Sequence, residues 1–258
     1  MEKSLLLEDG HLKIPVKITA PDGNIPRRVV LGVHGIGGSM DDDIQHAIAE
    51  EMLFFSAASV QFDMPCHGSS PMADEDFRLE YCVRSLMAAA RLARESFPQI
   101  QGLCIFATGF GAYVTLTALP QLLELTEDIR LVVQTPSVVM HQTILAMLNL
   151  SRETIRSMDR YILRAPRPLV ITYEFFKELR ENIVLAPQPI PMLILHGESD
   201  KFIAMEHIQN FRRINEHSQL VIIPGATHQF KEEGVWDMVL DLTRDWFEFQ
   251  QVVLMDWE

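Results

Sequence analysis

The strongest constraint on this chain is a rhythm in which short apolar runs alternate with loops and with longer segments of helical period. The runs fall at residues 29–33, 58–62, 103–107, 131–134, 192–196 and 220–223, and several are rich in Val and Ile. A strand buried on both faces reads as a continuous apolar run. Such strands, alternating with helices, build a parallel sheet wrapped on both sides. The segments between them suit that role. Residues 41–55 begin on an Asp that can cap a helix and bring Ile44, Ile48 and Met52 to one side. Residues 77–97 repeat Val83, Met87, Ala90 and Phe97, and residues 234–252 close the chain with another helix.

Two stretches depart from the rhythm. Residues 5–19 alternate around Asp9-Gly10 and set Leu12, Ile14, Val16 and Ile18 on one face, which predicts an N-terminal antiparallel hairpin. Residues 138–186 carry helical patterning, then Ala165-Pro166-Arg167-Pro168 and Tyr173-Glu174-Phe175-Phe176, with no convincing buried strand. They read as a helical cap inserted over the strand ends. At 258 residues the chain suits one α/β domain. Its core is expected in residues 1–137 and 187–258, and its cap in residues 138–186.

Charge narrows the classes of partner. Against 22 Lys and Arg stand 35 Asp and Glu, a formal net charge of -13, and no stretch gathers a basic stripe. That field repels phosphate backbones and anionic headgroups, so neither nucleic acid nor a membrane is an expected partner. Glu2, Lys3, Glu8 and Asp9 stand where a signal peptide would need a cationic start and an apolar stretch, so a cytoplasmic protein is expected. Cys66, Cys82 and Cys104 lack metal spacing and are expected as free thiols. Nothing in the composition indicates an oligomeric state.

Ligands of a parallel α/β sheet bind at the carboxyl ends of its strands. The loops there are unusual. They are His34-Gly35-Ile36-Gly37-Gly38-Ser39, Asp63-Met64-Pro65-Cys66-His67-Gly68-Ser69, Thr108-Gly109-Phe110-Gly111-Ala112, Gly197-Glu198-Ser199-Asp200, and Pro224-Gly225-Ala226-Thr227-His228. The first is not a dinucleotide fingerprint, because Met40 stands where a third glycine is needed.

In this order the loops resemble those of the α/β-hydrolase superfamily, in particular small-cap members such as the cinnamoyl and feruloyl esterases and the monoglyceride-lipase-like enzymes. The resemblance covers essentially the whole chain. It implies an oxyanion loop at His34 to Gly38, a nucleophile elbow at Ala107 to Gly111, an acid at Asp200 and a general base at His228. Asp200 would hold the imidazole tautomer, and His228 would move the proton between nucleophile and leaving group. The N–H groups of Ile36 and Phe110 would hold the oxyanion. His34, Gly35, Tyr173 and Phe176 are the implied substrate contacts, the substrate a small-molecule ester or amide, and no metal or organic cofactor is implied.

One residue departs from the pattern. The serine at the centre of the elbow is replaced by Gly109, which has no side chain to attack a carbonyl. Thr108 precedes the apex, Cys66 and Ser69 belong to another loop, and Cys104 is in a strand, so none substitutes for it. Two explanations stay open: a deliberate substitution, or loss in a non-catalytic relative that keeps the pocket for binding or regulation. The N-Myc downstream-regulated proteins are a precedent for the latter. The resemblance also predicts geometry. Gly109 should have a positive φ, a serine Oγ built there should come within about 2.6–3.5 Å of a His228 nitrogen, and the other nitrogen should meet Asp200. The cap residues Met140, Met147, Leu148, Tyr161 and Phe175 are expected mostly to pack it onto the core. Arg160, Arg164 and Arg167 are expected on a solvated cap face or against a substrate carboxylate.

Overall fold

The hairpin and all six apolar runs are strands in the computed structural model, which describes residues 1–23, 25–100, 102–157 and 159–252. β1 (Glu2–Asp9) and β2 (Leu12–Thr19) pair antiparallel with Asp9 opposite Leu12, so Gly10 and His11 make the turn. Leu12, Ile14, Val16 and Ile18 are all buried. Then follow β3 (Val29–Val33), α1 (Asp43–Phe54), β4 (Ala58–Phe62), α2 (Leu79–Ser96), β5 (Leu103–Thr108), α3 (Gly109–Leu125) and β6 (Ile129–Gln134). Every residue of β3 and β4 is buried, as strands covered on both faces require.

Helix ends differ in detail from the sequence pattern. Asp42 occupies the N-cap of α1 without a side-chain capping bond, and Ile44 is only half-buried, whereas Ile48 and Met52 are buried. In α2 the buried face includes Val83, Met87 and Ala90, while Phe97 is buried just beyond its end.

The region between β6 and the next strand of the main sheet contains α4 (Met140–Leu148), α5 (Arg152–Ser157), β7 (Arg160–Leu163), β8 (Leu169–Thr172) and α6 (Tyr173–Glu181). The strand pair is a departure from the sequence reading, which expected helices alone. β7 and β8 pair with each other, Arg160 opposite Thr172, and form a separate two-stranded sheet. Four residues of alternation are too few to distinguish a strand period from a helical one.

The chain returns through β9 (Met192–Gly197), α7 (Met205–Ile214), β10 (Gln219–Ile223) and α8 (Val235–Phe249). The main sheet has the order β1-β2-β4-β3-β5-β6-β9-β10; β1–β2 and β2–β4 are antiparallel and the remaining pairs parallel. A core on one face joins buried residues of α2, α3 and the elements between β6 and β9; the other joins Ile48 and Met52 of α1 to Val239 and Trp246 of α8. From β3 the chain moves outward to β4 and then returns to the opposite side as β5. Between β3 and β5 the sheet therefore has its switch point, the crevice where α/β sheets bind ligands. No described helix is long and apolar enough to cross a membrane.

Candidate active site

The strand-to-helix turn at the switch point is built by two glycines. Gly109 has a φ of +49° and opens α3 directly after Thr108, the last residue of β5. A side chain at such a φ is strained, and glycine enters it freely. At Gly111 the reason is space: a Cβ there would stand 2.3 Å from the His34 carbonyl oxygen and 2.5 Å from that of Val33, so only glycine lets α3 approach β3. The Gly109 carbonyl accepts the Ser137 N–H at 3.2 Å, which fastens the turn to the loop after β6.

Two loops are laced together to bring the acid and the histidine to this turn. The Glu198 N–H donates to the Ile223 carbonyl at 3.0 Å, the Ser199 N–H to that of Ala226 at 2.9 Å, and the Gly225 N–H to the Glu198 carboxylate at 2.9 Å. His228 Nδ1 lies 2.8 Å from Asp200 Oδ2. The other carboxylate oxygen, Oδ1, accepts the N–H groups of Phe202 at 2.8 Å and Ile203 at 3.0 Å. Burial of the Asp200 carboxylate opposes its charge, but the hydrogen bond and charge of His228, with those two N–H groups, hold its pKa below the ordinary value. An ionised acid accepts from Nδ1–H and leaves Nε2 as the basic nitrogen.

Nε2 faces the elbow. A Cβ at Gly109 would stand 3.9 Å from His228 Nε2 and 4.0 Å from Gly35 Cα. A serine Oγ, one bond further out, reaches hydrogen-bond distance of that nitrogen in a rotamer turned toward it. The structure thus brings together Gly109, Asp200, His228 and the loop carrying Gly35 and Ile36. Among the described residues, neither the Ile36 nor the Phe110 N–H has a hydrogen-bond partner. The Phe110 ring is buried against His67, Phe77 and Phe175, with centroids 6.4, 6.0 and 5.9 Å away, and so anchors the first turn of α3.

Other residues singled out from the sequence have different surroundings. His34 is buried with both ring nitrogens engaged: Nε2 accepts the Met64 N–H at 3.0 Å, so Nδ1 donates to the Gly35 carbonyl at 2.8 Å. Burial holds its pKa low, in keeping with this neutral tautomer. Its polar atoms therefore brace two loops and are not available to a substrate. Asp63 does similar work, accepting from the Met40 N–H through Oδ1 and from the Ser69 N–H and hydroxyl through Oδ2, each at 2.8 Å. Phe176 is buried in the main core rather than exposed to a ligand, and Tyr173, half-buried, stacks on it at 6.3 Å while its hydroxyl accepts from Arg156. Met140 and Phe175 are core residues, and Met147, Leu148 and Tyr161 pack against them. Arg167 stands neither on a solvated face nor free for a carboxylate. Its guanidinium donates to the carbonyls of Ser70 and Met72 in the loop after β4.

All three cysteines are free and buried, and burial pushes the Cys66 and Cys104 thiols up to about 12, far from thiolates. Sequence reasoning passed over two neighbours of the dyad. Phe202, half exposed, sets its ring 5.3 Å from that of His228. His196 is fully buried, its Nδ1 3.9 Å from Asp200 Oδ2. A histidine at the end of an otherwise apolar run was the available signal for the second. Nothing in sequence distinguishes Phe202.

No family model and no curated protein matches the chain. Its backbone, however, superposes on many solved structures. Est1E from Butyrivibrio proteoclasticus, solved with ferulic acid bound, aligns over 95% of this chain and 98% of its own, with a TM-score of 0.83 and 18% identity. The chain has the α/β-hydrolase fold. Alpha/beta hydrolase domain-containing protein 10 from mouse aligns over 96% and 100% of the two chains, with a TM-score of 0.74 and 16% identity. A serine hydrolase without lid from Xanthomonas campestris aligns over 98% and 97%, with a TM-score of 0.66 and 16% identity. In this α/β-hydrolase fold α4, α5, α6 and the β7–β8 pair lie between β6 and β9.

Proposed function

We infer that this chain is a carboxylic-ester hydrolase scaffold of the serine-hydrolase type, built for acyl transfer through a nucleophile, His228 and Asp200, with Gly109 at the nucleophile position. The observation that carries this reading is one alignment of atoms: Asp200 Oδ2 2.8 Å from His228 Nδ1, and His228 Nε2 3.9 Å from the site of a Cβ on Gly109. A carboxylate–imidazole pair aimed at the apex of a strand-to-helix turn has a clear use in activating a hydroxyl there. The Ile36 and Phe110 N–H groups are the donors for an oxyanion, the latter at the positive end of α3. Residues 138–186 act as a cap that selects the substrate. The class proposed is a small ester with an aryl or medium acyl group, an amide being the alternative; the ferulic acid held by Est1E supports the aryl form. The acidic surface, net -13, disfavours nucleic acid and anionic membranes as partners and suits a cytoplasmic enzyme of small molecules.

The test is restoration. Gly109→Ser should yield hydrolysis of short p-nitrophenyl esters, and His228→Ala on that background should abolish it. A restored protein inactive across esters and amides would refute the scaffold reading. Gly109 itself favours a second reading, a non-catalytic protein that binds a ligand in the old pocket. That reading requires a compound that raises the melting temperature of the unaltered chain equally well when His228 is alanine.

A further inference from the structure

Removing the elbow side chain leaves room as well as a deficit. Among the described residues outside its own helix and chain neighbours, nothing comes closer to the Cβ position of Gly109 than His228 Nε2 at 3.9 Å and Gly35 Cα at 4.0 Å. A water oxygen placed one bond length beyond that position, where a hydroxyl would be, can donate to Nε2 over about 2.6–3.2 Å. The imidazole that would receive its proton is already held by Asp200 at 2.8 Å, and that carboxylate is itself held by the Phe202 and Ile203 N–H groups. Three nearby nucleophilic groups weighed from the sequence are engaged or buried elsewhere. Cys66 donates its thiol to the Ala73 carbonyl, Ser69 its hydroxyl to Asp63, and Cys104 is buried inside β5.

We propose that the chain as it stands hydrolyses activated esters by direct attack of water, with His228 as general base and no covalent intermediate. This rests on the scaffold reading above and extends it to the unaltered protein. In the step, water forms a bond from its oxygen to the ester carbonyl carbon while one of its protons passes to Nε2. The carbonyl π pair moves onto oxygen, opposite the Ile36 and Phe110 N–H groups. Collapse of the tetrahedral species breaks the bond to the leaving oxygen, which takes the proton back from Nε2. Acid and alcohol leave together, and no atom of the protein is bonded to the acyl group. Glycine is essential to this route, because the methyl group of an alanine would stand one bond length from the oxygen site and exclude water from it.

The experiment compares the unaltered chain with Gly109→Ala, His228→Ala and Gly109→Ser, using p-nitrophenyl acetate. The unaltered chain should turn over many times, without a pre-steady-state burst and without an acylated species by mass spectrometry. Gly109→Ala and His228→Ala should each lower the rate at least tenfold, and Gly109→Ser should show a burst. If Gly109→Ala fails to fold at its positive φ, the His228→Ala rate and the search for an acyl adduct still decide. A rate indifferent to either alanine, or an acylated side chain in the unaltered protein, overturns the proposal. A chain no faster than buffer beside an active Gly109→Ser overturns it too, while leaving the scaffold reading intact. Inactivity of both proteins removes the scaffold reading and the proposal with it.

Discussion

His67 shows what one buried residue does to the whole stability curve. Its ring is fully buried, with Nδ1 2.9 Å from the Pro65 carbonyl, and burial, aided by the Arg167 charge and by the repulsion that a protonated His34 would add, depresses its pKa from 6.5 to about 3. The folded protein keeps this imidazole neutral where the unfolded chain would protonate it. Stability from His67 is therefore complete above pH 6.5 and is lost as the pH falls toward 3, at up to about 1.4 kcal/mol per pH unit. Asp200 has the opposite charge type and a lowered pKa, so its contribution persists above the ordinary carboxylate range, about 3.9, and is lost only below it. Above the carboxylate range only the His67 window is open. Urea midpoints measured at pH 7, 5.5 and 4.5 should fall steadily for the native chain and less steeply for His67→Asn. Equal slopes would show that His67 does not control the acid limb.

Among the elements, the β7–β8 hairpin depends on a contact that local pattern does not specify. The loop joining its strands lays Ala165 against Gly37, and Arg167 donates to the carbonyls of Ser70 and Met72, with those of Gly68 and His67 at 3.4 and 3.5 Å. Helix α6 is fastened separately. Glu178 accepts the Leu79 N–H at 2.8 Å and pairs with Arg78, and the Tyr113 hydroxyl donates to the Asn182 carbonyl at 2.7 Å. Arg167→Ala should therefore loosen the hairpin while α6 and the main sheet stay folded. The expected cost is about 1.5–3 kcal/mol, the range for hydrogen bonds to a charged group. Limited proteolysis should cut within residues 160–172 faster than in the native chain. Arg167→Lys should not restore resistance, since a point charge cannot span several carbonyls as a planar fork does. Cleavage at an unchanged rate would show that the hairpin is held by packing alone. The sequence reading set this region apart by its broken rhythm but took Arg167 for a surface or substrate residue, because the carbonyls it meets lie nearly 100 positions away along the chain.

At the scale of the molecule, net charge is the controlling quantity. With 35 acidic against 22 basic side chains, self-repulsion opposes the compact state. Surface ion pairs such as Lys177–Glu174 offset little of it, because exposed pairs contribute about 0–1 kcal/mol. Raising NaCl from about 10 mM to about 150 mM shortens the screening length from about 30 to about 8 Å. The melting temperature should rise, by roughly 2–4 °C for each 1 kcal/mol of repulsion relieved in a domain of this size. A fall would mean that favourable ion pairs outweigh repulsion.

From sequence alone came the six strands of the apolar runs, the hairpin, and the order of the loops at their ends, because an apolar run and a turn each leave a local pattern. The resemblance of those loops to the α/β-hydrolases singled out Gly109, Asp200 and His228, and the sequence itself shows that the first has no side chain. Only the tertiary structure decided how these groups meet. Asp200 and His228 are 28 residues apart and touch because β9 and β10 are neighbours whose loops are laced together. Gly109 comes from the other side of the sheet order, and no periodicity encodes its distance to Nε2. The same holds for His34 and Phe176, whose residue types fit a binding site equally well. Burial and hydrogen-bond partners assign them to the framework, and those are properties of the packed chain.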